Sequence, residues 1–212
     1  MVLEKVIVVL KLIVKPSIAL LLLLFIANGY TQVVISSQVT RQITDVKVVG
    51  LAMAEFSVVE VLVTIVLGRV ADRIGHQRMV LIATIATILG SAFTLVMNEY
   101  QSFWVYVPPA LFAIADTVYQ TECISIIGHY FTHSVEDVFA TYRLVQGLGS
   151  SLCSYITPVF SGNEAACNME QLIVEMAVEA VISILAFLLF LCFLAHSNIE
   201  RMQIEPKPTD KV

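Results

Sequence analysis

The chain has 212 residues, 58% of them hydrophobic and 14% charged, with a mean hydropathy of +0.86; this excludes a soluble domain of ordinary composition and makes the chain an integral membrane protein. The formal net charge of -5 and the scarcity of basic residues exclude a nucleic-acid groove, which needs lysine and arginine gathered on one face. Cys123, Cys153, Cys167 and Cys192 fall singly, without the close pairs of zinc or redox sites.

From Val2 to Val14 apolar residues are interrupted by Lys5 and Lys11, and Lys15 precedes Pro16. Residues 1–15 therefore read as an amphipathic segment lying on the membrane surface. The first span runs from Pro16 to Ser36, and its LLLLLF core belongs to a run long enough to cross the roughly 30 Å of hydrocarbon. A cleaved signal peptide is the competing possibility, since Ala27 and Gly29 form a small-x-small pair. The apolar run continues through Val33 to Ile35, however, and the lysines are spread over too long a leader. Further spans are predicted at Val48 to Leu67, Met79 to Met97, Phe103 to Gly128, Val138 to Phe160 and Met169 to Ala195. The expectation is an all-α membrane protein with six transmembrane helices over residues 16–196.

Lysine and arginine sort by side when both termini are cytoplasmic. Lys5, Lys11, Lys15, Arg69, Arg73, Arg78, Arg143, Arg201, Lys207 and Lys211 then fall inside, and of the 12 basic residues only Arg41 and Lys47 face outside. Residues 197–212, with Pro206 and Pro208 among charges, are expected to be a short disordered cytoplasmic tail.

The second and third spans are joined by GRVADRIGHQR, Gly68 to Arg78. Gly75 supplies the permissive backbone of a tight reversal, and Gly68 would let a helix end approach a neighbour closely. The stretch resembles the short cytoplasmic loop of major facilitator transporters, G-x-x-x-D-R-x-G-x-x-R, at Gly68, Asp72, Arg73, Gly75 and Arg78. Asp72 is expected to face the N-terminal end of the fifth span, or to compete for Arg143.

Glu55, Glu60, Asp116, Glu122, Glu175 and Glu179 fall within predicted spans. A charge at the centre of a membrane helix costs about 2.5–3.5 kcal/mol on insertion scales, so each acid needs a partner, a water cavity or a proton. Arg143 is the basic exception within the spans. It and Glu122 lie at similar depth, which predicts an ion pair between the fourth and fifth spans. Ser57, Glu60 and Thr64 form a helical stripe, as do Asp116 and Gln120, and Gln171, Glu175, Glu179 and Ser183. Two functions remain open for these stripes. One is a cation or proton pathway lined by Glu60, Asp116 and Glu179; the other is a set of interhelical hydrogen bonds that keeps the bundle in register. Glu175, near the start of the last span, is expected at headgroup level.

His129 and His133, four apart and followed by Glu136 and Asp137, could suggest zinc ligands, but Phe131 to Ser134 reads as a helix end, so no metal is assigned. Tyr100, Phe103, Trp104 and Tyr106 form an interfacial belt. Gly147, Gly149, Ser150 and Ser151 predict close helix packing on one face of the fifth span. Cys167 falls in a predicted outside loop. No glycine-rich phosphate loop, activated nucleophile or dinucleotide pattern is present, so neither enzyme nor cofactor is expected.

LFAIADTVYQTECISIIGHYF and VFATYRLVQGLGSS, between Leu111 and Ser151, resemble the Unc-ninety-three-like family of ion-channel regulatory proteins, a branch of the major facilitator superfamily. The matching positions include Ala115, Asp116, Gln120, Thr121, Gly128 and Phe131, then Phe139, Ala140, Tyr142, Arg143, Leu144 and Gly149. Many members carry a neutral amide where this chain has Glu122, and many have a degraded loop where this chain keeps Asp72, Arg73 and Gly75. The resemblance implies a twelve-helix architecture of two six-helix halves, of which this chain is similar to the second. It implies a multi-pass accessory protein whose partner in the lipid bilayer is an ion channel or other membrane protein, with a second six-helix half or a homodimer completing the fold. A proton- or cation-coupled transporter of a small solute is the alternative.

Overall fold

Hydrocarbon offers no partner to a backbone amide, so a spanning chain must satisfy its own ladder, and the described residues of this one do so with long helices. The computed structural model describes residues 12–43, 45–96, 103–132, 134–161 and 169–204, without the side chains of 71, 72, 103, 156–161 and 198–204. Six long helices fill these segments. They are α1 (Pro16–Val34), extended by a π-helical turn at Ile35–Val39; α2 (Val46–Ile74); α3 (His76–Val96); α4 (Val107–Tyr130), preceded by a 3₁₀ turn at Phe103–Tyr106; α5 (Val135–Ser161); and α6 (Met169–Ile204).

Local chemistry explains the ends. Pro16 opens α1 where its missing N–H would have had no partner. The π turn follows from hydroxyls that compete for the backbone: Ser36 and Ser37 Oγ donate to the Val33 carbonyl at 3.1 and 2.8 Å, and Thr40 Oγ1 to Ser36 at 2.7 Å. Gly75, at φ 84°, is the positive-φ residue that separates α2 from α3. The motif expected to be a loop is thus mostly helix. Gly68 to Ile74 form the last two turns of α2, and the reversal is confined to Gly75. At the other end α6 runs on to Ile204, so the expected tail begins as helix. Residues 1–11 and 205–212 lie outside the described residues.

Five of the helices, α1, α2, α3, α4 and α6, are long and apolar enough to cross a membrane. The 27-residue α5 has the length, about 40 Å at 1.5 Å per residue, but a more polar sequence that includes Glu136, Asp137, Arg143 and Gln146.

Apart from α3 and α4, which pack closely, helices consecutive in sequence have little contact. α4 sits between α2 and α3, which barely touch, and α1 sits between α5 and α6, which barely touch; α1 meets α4, and α3 meets α6. Exchanging α1, α2, α3 for α4, α5, α6 maps this contact pattern onto itself. The shared core is built from Leu21, Leu24 and Phe25 of α1, Val80 and Ala83 of α3, Tyr119 and Ile126 of α4, Tyr142 of α5 and Phe190 of α6. Phe25 and Tyr142 meet edge to face at 5.1 Å.

The tightest crossing joins α1 to α5. A Cβ on Gly29 would lie 2.0 Å from the Gln146 carbonyl oxygen, and one on Gly149 would lie 2.5 Å from that of Ile26. Ser150 Oγ donates across the same crossing to the Gly29 carbonyl at 2.9 Å. The expected small-residue face is therefore narrower than its sequence suggests. Gly147, like Gly68, has open space around it. Ser151, one turn on from Gly147, is exposed, because Gly147 and Ser151 lie on the face of α5 turned away from α1.

Candidate functional site

Asn28 is the centre of the polar interior. It lies in α1, fully buried, where an unpaired amide has no water to turn to. Its Nδ2 donates to Asp116 Oδ1 of α4 at 3.2 Å. Its Oδ1 accepts from Tyr142 Oη at 2.9 Å and from Gln146 Nε2 at 2.7 Å, both on α5. Gln146 Oε1 in turn accepts from Arg143 Nη1 at 2.9 Å. The Arg143 guanidinium lies over the rings of Phe139 and Tyr142, 5.1 and 5.2 Å from their centroids. One amide thus joins three helices, and its ligands come from both blocks that carry the family resemblance.

One turn along α1, Thr31 Oγ1 donates to Glu179 Oε1 of α6. Glu179 is fully buried, and its Oε2 has no hydrogen-bond partner among the described residues. The stripe on α6 faces inward as a whole. Glu175, expected at headgroup level, is only 3% exposed, because α1 covers that face of α6. Tyr119 Oη and Thr84 Oγ1, 3.1 Å apart, link α4 to α3.

On the other side of Asp116, the carboxyl of Glu60 in α2 comes within hydrogen-bonding reach. Glu60 also borders an open groove of about 490 Å³ between α2 and α4, where it is joined by Thr64, Thr117, Gln120 and Thr121. Asn28 and Thr31 of α1 thus each hold one buried acid, Asp116 and Glu179 respectively.

Glu122 does not pair with Arg143. It is 1% exposed, and its Oε2 meets Nδ1 of His76 at 2.7 Å. α4 presents Glu122 toward α3, while Arg143 sits on an exposed face of α5. His76 follows Gly75 directly, so the one-residue reversal delivers the imidazole to α4. The ring of His129 lies 5.9 Å from that of His76, and Tyr130 beside it packs edge to face on Phe193 at 5.2 Å. Arg73 and Arg78 are exposed. The Asp72 side chain, His133, Tyr100 and Cys167 lie outside the described residues, whereas Trp104 is 53% exposed, as an interfacial ring would be.

The His76–Glu122 contact makes a quantitative prediction. His76→Leu leaves a buried carboxyl without this partner and is expected to destabilise by about 1–3 kcal/mol, whereas His76→Leu with Glu122→Leu recovers about half of the loss. A double-mutant cycle on thermal unfolding in detergent measures the coupling, and additive single effects would contradict the pairing.

Sequence reasoning found Asp116, Gln120, Glu122, Arg143 and Glu179 but missed Asn28, Thr31 and Gln146. The signal for the first two was present: Asn28 and Thr31 are three apart in an otherwise apolar span, on one helical face.

Residues 18–211 match the family model of the Major Facilitator Superfamily. The chain is 29% identical over 147 residues to Protein unc-93 homolog A of Bos taurus, covering 66% of this chain and 32% of the relative. It is 30% identical over 148 residues to the Danio rerio protein of that name, covering 66% and 31%, and 28% identical over 140 residues to the Homo sapiens one, covering 62% and 30%. The chain thus spans about a third of the length of these curated relatives. No solved structure matches it. The matched model covers nearly the whole chain, and the relatives of similar sequence are Unc-93 homologues: the protein belongs to the Major Facilitator Superfamily.

Proposed function

We propose that this chain is a non-enzymatic, multi-pass accessory protein that regulates a membrane-protein partner, either an ion channel or a protein whose traffic it directs. The observation that carries this reading is the hydrogen-bond network centred on Asn28. Asp116, Tyr142 and Gln146 each hydrogen-bond to Asn28, and Arg143 donates to Gln146, which favours a single held conformation over a path that must open to both sides. The matched family supports it as well. Six spans with both termini cytoplasmic fit the distribution of lysine and arginine, with exposed Arg69, Arg73 and Arg78 at the inner end. The internal two-fold of the contact pattern supports a six-helix half of a facilitator fold, whose halves are built from inverted three-helix repeats. A second six-helix half or a second copy would then complete it.

Transport is the second reading, favoured by the Glu60–Asp116 carboxyl pair and by the unpartnered Glu179 Oε2. Such groups are the natural seats of a coupling proton or cation, around a site gated from alternate sides. Affinity purification of the tagged full chain, combined with solute flux in proteoliposomes, separates the two. An accessory protein co-purifies a channel or receptor in defined stoichiometry and supports no flux, and Asp116→Asn leaves that association intact if folding is retained. Solute uptake that Asp116→Asn abolishes would overturn the accessory reading.

A further inference from the structure

Glu179 lies ten residues into α6, about 15 Å from its start at 1.5 Å per residue. It is fully buried, as is Ser183 one turn further on, and Glu175 one turn before it is nearly so. These groups sit inside the six-helix unit, where α1 and α3 both pack on α6, so their enclosure depends on nothing beyond this chain. Tyr30 of α1 and Cys153 of α5 stand within electrostatic reach of both carboxyls, and Tyr119 of α4 within reach of Glu179. Among the described residues, no lysine, arginine or histidine figures among the groups acting on Glu179 or on these three neighbours.

The hydroxyls of this region direct their protons elsewhere. Thr31 Oγ1 donates to Glu179 Oε1. Thr84 Oγ1 donates to the Val80 carbonyl at 2.9 Å, so the 3.1 Å contact between Thr84 and Tyr119 takes its proton from Tyr119 Oη. Glu179 Oε2 and Ser183 Oγ have no hydrogen-bond partner among the described residues, although Ser183 stands beside Tyr119. The oxygens of Thr31 and Tyr119 therefore offer lone pairs rather than donors, next to a carboxyl oxygen that needs a positive neighbour. A proton on Oε2 would serve that oxygen alone, and a water molecule would bring donors without charge. A cation answers the carboxyl and the hydroxyl oxygens together. An all-oxygen set suits a hard cation, and among the described residues no three histidine, cysteine or acidic side chains come together as a multivalent ion would require.

We propose that the Glu179 carboxyl, with the hydroxyl oxygens of Thr31, Ser183 and Tyr119, binds a sodium ion. One carboxylate balances one positive charge, and four oxygens are few for a larger alkali ion. The ligands come from α1, α4 and α6, so the ion ties three helices at one point, away from the Asn28 junction. Asp116 needs no such ion, since Asn28 Nδ2 already donates to it. The inference holds under either reading of function. In an accessory protein the ion is a fixed tie between helices, and in a transporter it is a resident charge beside the solute path.

The test is thermal unfolding of the full chain in detergent, with sodium chloride exchanged stepwise for choline or potassium chloride at constant ionic strength. An ion bound only by the folded state raises the midpoint by about 3–6 °C at ten times its dissociation constant. That rise is expected with sodium and not with choline, and potassium is expected to give less. Glu179→Gln keeps an oxygen to accept from Thr31 but lacks the charge, and is expected to lose the sodium dependence. Ser183→Ala removes one ligand and is expected to need roughly tenfold more sodium for the same rise. The second variant carries the test if the first does not fold, because it leaves the Thr31–Glu179 hydrogen bond in place. Equal midpoints in the three salts overturn the proposal, leaving Glu179 with a proton or a water. A sodium rise that Ser183→Ala and Glu179→Gln leave unchanged overturns it too, by placing the ion elsewhere.

Discussion

Replacing Asn28 with leucine is expected to cost about 2–5 kcal/mol of stability, because three interhelical hydrogen bonds end on this one amide and polar contacts in bilayers are worth about 0.6–1.7 kcal/mol each. Leucine keeps the branch at Cγ, so the change chiefly replaces the polar atoms of the amide with methyl groups. What remains is a buried Asp116, a Tyr142 hydroxyl and a Gln146 amide with no partner on α1. The loss should be read as a lower midpoint of thermal or denaturant unfolding in detergent, with α1 separating from α5 first. Gln146→Leu removes one of the three bonds to Asn28 and should cost about a third as much. If Asn28→Leu melts within about 0.5 kcal/mol of the parent, the size of an ordinary surface change, the junction does not hold the bundle together.

Gly29→Ala is the second large effect. Its new methyl would stand 2.0 Å from a backbone oxygen and 2.8 Å from the carbonyl carbon of Gln146, atoms that can move only with the whole of α5. Separating the helices would stretch the Ser150–Gly29 and Gln146–Asn28 hydrogen bonds as well. The expected cost is about 3 kcal/mol or more, at the upper end of overpacking effects. Gly147→Ala, one helical turn along α5 from Arg143, is the internal control. Nothing lies within 4 Å of its added Cβ, and alanine favours helix over glycine, so it should be neutral or stabilising by up to about 1 kcal/mol. Equal effects of the two substitutions, measured by the same unfolding assay, would show that the α1–α5 crossing is looser than described.

These two positions illustrate how the sequence can mislead about individual residues while being informative about classes. Gly29 draws notice as half of a cleavage-site pattern, and its real constraint is a carbonyl on a helix more than a hundred residues away. Gly147 and Gly149 look equivalent in a small-residue run. They differ because an α-helix turns 100° per residue, so residues two apart point to well-separated sides, and only one of those sides meets α1. Glu122 offers a similar case. Its depth and its need for a partner follow from position along the span, but its choice of His76 over Arg143 depends on the rotation of α4 and on which helix stands beside it.

Much of the molecule is nevertheless set by local rules that sequence expresses directly. Long apolar runs must be helical in a bilayer, the reversal at Gly75 needs a residue without a Cβ, and acids spaced three and four apart must share a face. On that basis the helices, the α2–α3 turn and the shared face of Glu175, Glu179 and Ser183 are determined by the chain itself, whereas the burial of Glu175 comes from α1 covering that face. Helix packing is a different kind of information. The interleaving of α4 between α2 and α3, and of α1 between α5 and α6, pairs residues distant in sequence, and no periodicity within one helix encodes its neighbour. Only the tertiary structure therefore decided that Asn28 gathers Asp116, Tyr142 and Gln146, that the carboxyls of Glu60 and Asp116 meet, and that Gln120 opens onto a groove at the centre of an otherwise apolar face.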